Sequence, residues 1–235
     1  MLATKMMLKL IAPLVLVALV QPACAFEIRR VGTDPGVVLR LRGDVRAGDY
    51  GRLKMILQNS SVVGLEIRSG GGSLEEGLDI ARIVRDQGLV VYASKECNSV
   101  CAFILFAAKE RHIGPGGKIG VHSVSNPRGK EDEDSIRVTV QMSRFLVGLG
   151  VPHSVVGKIV ATPPAKITFL NNRDLAGLNV HRTNPFRQIY DAASVARSQQ
   201  ASSVCNPGVD LETGAAADAG HRSCTTASAH ASGER

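Results

Sequence analysis

Apolar residues along the middle of the chain fall into two patterns: short continuous runs, and stretches with an apolar residue every three or four positions. The short runs predict β-strands at 37–41, 62–67, 89–93 and 118–121. The amphipathic or buried stretches predict helices at 50–57, 74–88, 100–108, 135–149 and 152–160. Because strands alternate with helices, we expect an α/β fold whose parallel strands are joined by right-handed crossovers.

The first 25 residues have the features of a cleaved secretory signal peptide. Two lysines give a positive start, residues 10–20 are almost wholly apolar, and small residues occupy 23–25. Cleavage there would make Phe26 the first residue of a periplasmic or secreted protein. The apolar run is shorter than the roughly 20 residues that a membrane span needs, so no stable span is expected after cleavage. An uncleaved anchor and a lipid-modified Cys24 are the alternatives.

The other end of the chain differs in composition from the patterned region. Residues beyond about 197 are rich in Ser, Ala, Gly and Thr, with too little apolar surface to fold alone. We therefore expect a signal peptide at 1–25, one folded domain at 26–190 and a disordered low-complexity tail at 191–235.

The charge balance argues against one class of partner. The formal net charge is +7, but the basic residues are scattered and only 4% of the chain is aromatic. Nucleic-acid binding depends on clustered cations and stacking surfaces, so the sequence predicts no nucleic-acid partner. The densest charge run, at 128–134, predicts a solvated loop.

Export would place the cysteines in an oxidising compartment. With Cys24 removed, an even number remains, and the disulfide candidates are Cys97, Cys101, Cys205 and Cys224. The last two would close a loop in the tail, whereas the first two would stiffen the turn between them. The alternative for the first two is a pair of small buried packing residues. A zinc site is not expected, since no histidine lies beside them at ligand spacing.

Ser99 lies in Cys97-Asn98-Ser99-Val100-Cys101, between a predicted strand and a predicted helix. His122 follows the strand at 118–121, and a glycine cluster at 69–73 lies upstream. A hydroxyl at a strand-to-helix turn, an imidazole and free backbone N–H groups are the parts of an acyl-transfer site. The alternatives are a helix N-cap for Ser99 and a structural role for His122. Within the cluster, Ser73 and Glu76 predict a capping box for the next helix.

Three segments resemble the Clp protease proteolytic subunit and its crotonase-fold relatives. Residues 69–80 resemble the family's Ser-Pro-Gly-Gly-Ser-Val-x-x-Gly-x-x-Ile, with Gly70 in place of the proline. Residues 99–108 resemble the segment that begins at the family nucleophile, with Cys101 in place of a glycine. Residues 109–122 are similar to the stretch that ends at the catalytic histidine. The exported, cysteine-flanked form also resembles a group of predicted periplasmic relatives.

The resemblance implies a fold of repeated β-β-α units arranged as a spiral. It also implies that Ser99 is the nucleophile and that His122 is the general base that takes its proton. The backbone N–H groups of Gly72 (or Gly71) and Val100 would form the oxyanion hole. Each such donor is worth about 3 kcal/mol at the transition state.

The third member of the family's triad has no aligned counterpart, because Ile167 stands where the aspartate is expected. That aspartate fixes the imidazole tautomer and stabilises its charged form. Polar residues nearby in the sequence that could replace it are Thr162, Thr168 and Asp174. A bare Ser-His dyad is the other alternative.

These features predict an exported serine hydrolase, a peptidase that cleaves short peptides or unfolded chains through an acyl-enzyme intermediate. No cofactor and no metal are expected. An ATP-driven unfoldase partner is not expected either, because an exported protein lacks ATP. The helix at 135–149 falls where the Clp subunit has its ring-stacking helix, which implies a homo-oligomer. The alternatives are a catalytically decayed binding or assembly protein, and an acyl-thioester enzyme of the crotonase type.

Overall fold

The computed structural model describes residues 26–33 and 36–204. The predicted signal peptide at 1–25 and everything from residue 205 onward lie outside these ranges. The strands of the described ranges are β1 (Glu27–Val31), β2 (Val37–Arg42), β3 (Val62–Ser69), β4 (Val90–Asn98), β5 (Glu110–Ile113), β6 (Lys118–Val121), β7 (Thr168–Phe169) and β8 (Val180–His181). The helices are α1 (Asp49–Gln58), α2 (Leu74–Asp86), α3 (Val100–Phe106), α4 (Glu133–Gly148), α5 (His153–Ala161), α6 (Asn172–Gly177) and α7 (Arg187–Val204).

The strands form one mixed sheet in the order β1-β2-β3-β4-β5-β8. The pairs from β2 through β8 are parallel, and β1 pairs antiparallel with β2. The second half of β4 turns to a different neighbour, because Glu96–Asn98 pairs in parallel with β6. Strand β7 then pairs antiparallel with β6. The expected α/β class with parallel strands is confirmed, while the repeated β-β-α spiral stays a prediction.

The predicted elements with strong patterns lie close to their expected places. Strand β6 has the predicted bounds, and α1, α2, α4 and α5 begin and end within two residues of theirs. Strand β4 is longer than predicted, since it continues beyond Ala93 to Asn98 through a register shift against β3. The short elements β1, β5, β7, β8 and α6 were not predicted, because two to six residues carry too little periodicity.

Helices α1, α2 and α3 pack on one face of the sheet and bury the main core. Every residue of α3 is buried, so this helix runs through the core, as its uniformly apolar sequence predicts. Among the described residues, no helix is long and apolar enough to cross a membrane.

The opposite face of the sheet is covered by the start of α7. Phe186 packs on Val38 and Tyr92, and its ring lies so close to Gly64 that a Cβ there would come within 2.5 Å of it. Beside this cluster, Arg40 Nε donates to buried Glu66 at 2.8 Å. Burial raises the pKa of Tyr190, and the bond from its hydroxyl to Glu66 raises it further. Tyr190 therefore stays a neutral hydrogen-bond donor at physiological pH.

Helix α7 alters the expected domain boundary. It crosses residue 190 and continues to Val204, so the first part of the segment predicted to be disordered is helical. The composition of this part is poor in apolar residues, and the contacts of Phe186, Ile189 and Tyr190 explain how the helix is nevertheless held on the sheet. The remainder of the predicted tail, including Cys205 and Cys224, lies outside the described residues.

We expect replacement of Phe186 by alanine to destabilise the domain, because a ring that is 3% exposed would leave a cavity between α7 and the sheet. The free energy of unfolding in urea should fall by about 3 kcal/mol. The matched control is Val195→Ala on the same helix, where a side chain that is 53% exposed should cost little. Equal effects of the two variants would show that α7 is not anchored through Phe186.

Candidate active site

Ser99 connects β4 to α3 in a strained backbone conformation. Its φ of 55° and ψ of −125° lie in a region that residues with side chains rarely adopt. Such a conformation costs about 1–3 kcal/mol and persists only where neighbouring contacts enforce it. Here the Ser99 N–H donates to Gly120 O at 2.8 Å, and Ala102 N–H donates to Ser99 O at 2.9 Å. Ser99 occupies the N-cap position of α3, but its hydroxyl makes no capping hydrogen bond to that helix.

A disulfide joins Cys97 and Cys101 across this turn, with 5.1 Å between their Cα atoms. Both residues are fully buried, Cys97 at the end of β4 and Cys101 in the first turn of α3. Of the two predicted disulfides this one is present, and the candidates Cys205 and Cys224 lie outside the described residues. The bridge ties together the two elements between which Ser99 is placed.

Gly71 brings the glycine loop against Ser99. A Cβ on Gly71 would lie 2.8 Å from Ser99 Cβ, so only glycine permits this approach. The loop is held in place by Val45, whose N–H donates to Gly71 O and whose carbonyl accepts from Ser73 N–H, both at 2.8 Å. No motif or periodicity in the sequence indicates this role for Val45.

The structure separates the two candidate oxyanion glycines. Gly71 N–H donates to the buried hydroxyl of Ser69 at 3.1 Å and is therefore occupied. Gly72 N–H has no hydrogen-bond partner among residues 26–33 and 36–204, and neither has Val100 N–H, which belongs to the first residue of α3. Because Gly72 and Val100 line the same cavity as Ser99, both N–H groups are available as donors to an oxyanion.

His122 follows β6 and lines this cavity. Its Nδ1 lies 2.6 Å from the carbonyl oxygen of Ser123. A carbonyl oxygen only accepts, so Nδ1 carries a proton and Nε2 of the neutral ring keeps its lone pair. Within the described chain no hydrogen bond joins His122 to Ser99. Catalytic hydrogen bonds are often long without substrate and tighten when it binds.

None of the predicted third members makes a hydrogen bond or ion pair with the His122 ring within the described ranges. The carboxylate of Asp174 forms an ion pair with Lys158 and accepts from Asn171 N–H, so it is occupied in fixing α6 to α5. The hydroxyls of Thr162 and Thr168 hydrogen-bond to each other at 2.8 Å. Both threonines lie beside the strand that carries His122, and Thr162 O accepts from Ser123 N–H at 2.8 Å.

The cavity is lined by both polar and apolar residues. Its lining residues are Gly72, Leu74, Ser99, Val100, Phe103, His122, Ser123, Val124 and Ser125. The apolar lining residues suit the apolar part of a ligand. The part of the chain that the structure describes holds no cluster of His, Cys, Asp or Glu suited to a metal ion.

Only half of the predicted capping box is present. Ser73 Oγ accepts from Glu76 N–H at 3.4 Å, as expected. The Glu76 carboxylate instead reaches the start of α1, where it accepts from Gly48 N–H and Tyr50 N–H, both at 2.8 Å. A negative charge at a helix N-terminus is favourable, so this contact stabilises α1 and ties it to the glycine loop.

Comparison with known proteins finds distant similarity to solved structures and none to known sequences. No family model and no curated protein matches the chain in sequence. Two solved structures, ClpP1 from Listeria monocytogenes and its asparagine-to-aspartate mutant, are each 16% identical to the chain. Each match covers 63% of this chain and 92% of the other, with a TM-score of 0.49. This similarity does not assign the chain to a family.

We expect the double variant Cys97→Ala/Cys101→Ala to be less stable than the oxidised wild type. A bridge closing so short a loop contributes about 2 kcal/mol to the free energy of unfolding, which urea titration would measure. The matched control replaces Cys205 and Cys224 by alanine, since neither belongs to this turn. A loss of less than about 0.5 kcal/mol, within the range of neutral substitutions, would contradict a bracing role for the bridge.

Proposed function

We propose that this protein is an exported serine hydrolase, a peptidase that acts through an acyl-enzyme intermediate on Ser99. One observation carries the proposal: a strained Ser99 shares a cavity with His122, whose Nε2 is free to accept a proton. Two unoccupied backbone donors, from Gly72 and Val100, line the same cavity. This is the set of groups that acyl transfer requires.

In the proposed reaction, His122 Nε2 takes the proton of Ser99 Oγ as the oxygen attacks the substrate carbonyl carbon. The N–H groups of Gly72 and Val100 stabilise the resulting oxyanion. When the C–N bond breaks, the imidazolium gives its proton to the leaving nitrogen, and the acyl group stays on Ser99 as an ester. Water then attacks this ester while its proton goes to His122. The ester C–O bond breaks, the imidazolium returns the proton to Ser99 Oγ, and the carboxylic acid leaves.

Peptides and already unfolded chains are the proposed substrates. The apolar side of the cavity, formed by Leu74, Phe103 and Val124, suits an uncharged side chain. Hydrolysis of such chains requires no unfoldase and no cofactor. We include self-association in the proposal, because α4 exposes Ile136 and Val140 and the sequence resemblance places a ring-stacking helix here; light scattering tests it.

A second candidate is a binding or assembly protein whose active site has decayed. It is favoured by Ile167, a side chain that is 40% exposed at the place of the aligned aspartate. The two candidates differ in whether Ser99 can be acylated.

A fluorophosphonate probe separates them. We expect the purified oxidised protein to be labelled at Ser99, and we expect Ser99→Ala and His122→Ala to abolish labelling, as read by intact mass. The matched control is Ser143→Ala, because this serine lies on α4, where its hydroxyl donates to Thr139 O. Cleavage of a peptide library by the wild type, but not by Ser99→Ala, would then establish the peptidase.

Absence of labelling in the wild type under both oxidising and reducing conditions would refute the hydrolase and favour the decayed binding protein. Labelling combined with hydrolysis of acyl thioesters but not of peptides would instead favour the crotonase-type enzyme.

The proposed location has its own test. Phe26, the residue predicted to follow the cleavage site, is fully buried, and its carbonyl accepts from Arg52 at 2.8 Å. The fold therefore already includes this residue. Expressed in a bacterial host, the full chain should yield a periplasmic or secreted protein whose first residue is Phe26. An intact chain recovered from the cytoplasm would contradict export.

A further inference from the structure

Ser123 is a buried residue that is hydrogen-bonded through its backbone and through its side chain. It is 1% exposed, and its N–H donates to Thr162 O at 2.8 Å. Its hydroxyl donates to the carboxylate of Glu131 at 2.6 Å. The next N–H, that of Val124, donates to the buried hydroxyl of Thr139 at 3.0 Å. Together these bonds fix the peptide unit that contains the Ser123 carbonyl.

We propose that the Ser123 carbonyl orients His122 in place of the missing aspartate, and that Glu131 is a positioning residue that acts through the Ser123 hydroxyl. This inference concerns the proposed active site and rests on the proposed function for its consequence in catalysis. The carbonyl determines which imidazole nitrogen carries the proton, and the Glu131 bond determines where the carbonyl lies.

Glu131 is itself positioned by an ordered turn. Asn126 N–H donates to Lys130 O at 2.8 Å, and the side-chain oxygen of Asn126 accepts from the N–H groups of Arg128 and Lys130. The Asn126 amide also donates to Asp132 at 2.7 Å. The charge run at 128–134, predicted to be a solvated loop, therefore contains a hydrogen-bonded turn. This turn places Glu131 next to Ser123.

The start of α4 fixes the end of this turn. Asp132 and Ser135 form a capping box. Ser135 N–H donates to the Asp132 carboxylate at 2.9 Å, and Asp132 N–H donates to the Ser135 hydroxyl at 2.8 Å. The Ser135 N–H bond, together with the Asn126 amide, holds the pKa of Asp132 below its usual range. Asp132 is thus ionised over the pH range in which a hydrolase would work, and the turn stays closed.

A carbonyl replaces only part of what a carboxylate does. It accepts from Nδ1–H and so fixes the tautomer and the ring orientation, but it brings no full negative charge. The carboxylate of Glu131 lies one hydrogen bond away, because it accepts from the hydroxyl of Ser123, the residue whose carbonyl faces His122. Removing Glu131 would leave a buried hydroxyl without its acceptor, and Ser123 would have to move or bind elsewhere.

The first test measures the tautomer directly and does not depend on activity. In protein labelled with ¹⁵N-histidine, the NMR signals that His122→Ala removes belong to this ring. Above neutral pH we expect a protonated Nδ1 and an unprotonated Nε2. The opposite tautomer in the wild type would overturn the inference.

The second test uses Glu131 variants. We expect Glu131→Ala to mix the two tautomers and slow fluorophosphonate labelling of Ser99 about tenfold, as loss of an outer hydrogen-bond partner does elsewhere. Glu131→Gln keeps an acceptor for the Ser123 hydroxyl, so it should restore both readouts. The matched control is Glu133→Ala, because Glu133 is exposed and its ion pair is with Arg137 on the same helix. Urea titration checks that all variants are folded.

The outcomes separate this inference from the proposed function. If the wild type is not labelled but shows the expected tautomer, and Glu131→Ala loses it, the hydrolase fails and the positioning role stands. If Ser99 is labelled while Glu131→Ala leaves both the tautomer and the labelling rate unchanged, the hydrolase stands and the role of Glu131 is refuted.

Discussion

The placement of the active site depends on the hydrogen bond from Ser99 N–H to Gly120 O, 2.8 Å long. Up to Ala93, β4 pairs with β5; after its register shift it pairs with β6, and this bond continues that second pairing by one residue. It therefore sets the distance along the sheet between Ser99 and His122, which lies two residues after Gly120. A side chain at position 120 would break the arrangement, since its Cβ would come within 2.4 Å of Asn98 Oδ1.

The same bond explains how the strained turn at Ser99 is maintained. A φ of 55° is unfavourable by itself, so the surroundings must over-determine it. The Gly120 carbonyl holds the start of the turn, the Cys97–Cys101 bridge closes it, and Gly71 packs against its outer side. These contacts come from three separate segments of the chain, which is why the hydroxyl stays in the cavity and does not cap α3.

How much could be predicted from the sequence follows from the kind of interaction involved. Strand β6 and the presence of Ser99 and His122 in one cavity were predicted, because both depend on periodicity and on the order of motifs, which residue types reveal. The sequence did not show which of Gly71 and Gly72 has a free N–H group, because this depends on which of the two donates to the Ser69 hydroxyl. The carboxylate of Glu76 was predicted to cap its own helix, α2, but it caps α1. A capping pattern in the sequence does not show that a carboxylate can reach a neighbouring element.

The contact of the Ser123 carbonyl with His122 could not be predicted from the sequence, because every residue has a carbonyl and no residue type distinguishes this one. A search for a third triad member among side chains finds Thr162, Thr168 and Asp174, and each is engaged elsewhere. It follows that the absence of an aligned aspartate does not separate an active site from a decayed one. What a dyad needs is a fixed acceptor for Nδ1–H, and backbone supplies it when the backbone itself is held. The bonds that hold Ser123 are therefore a better criterion for activity than the residue at position 167.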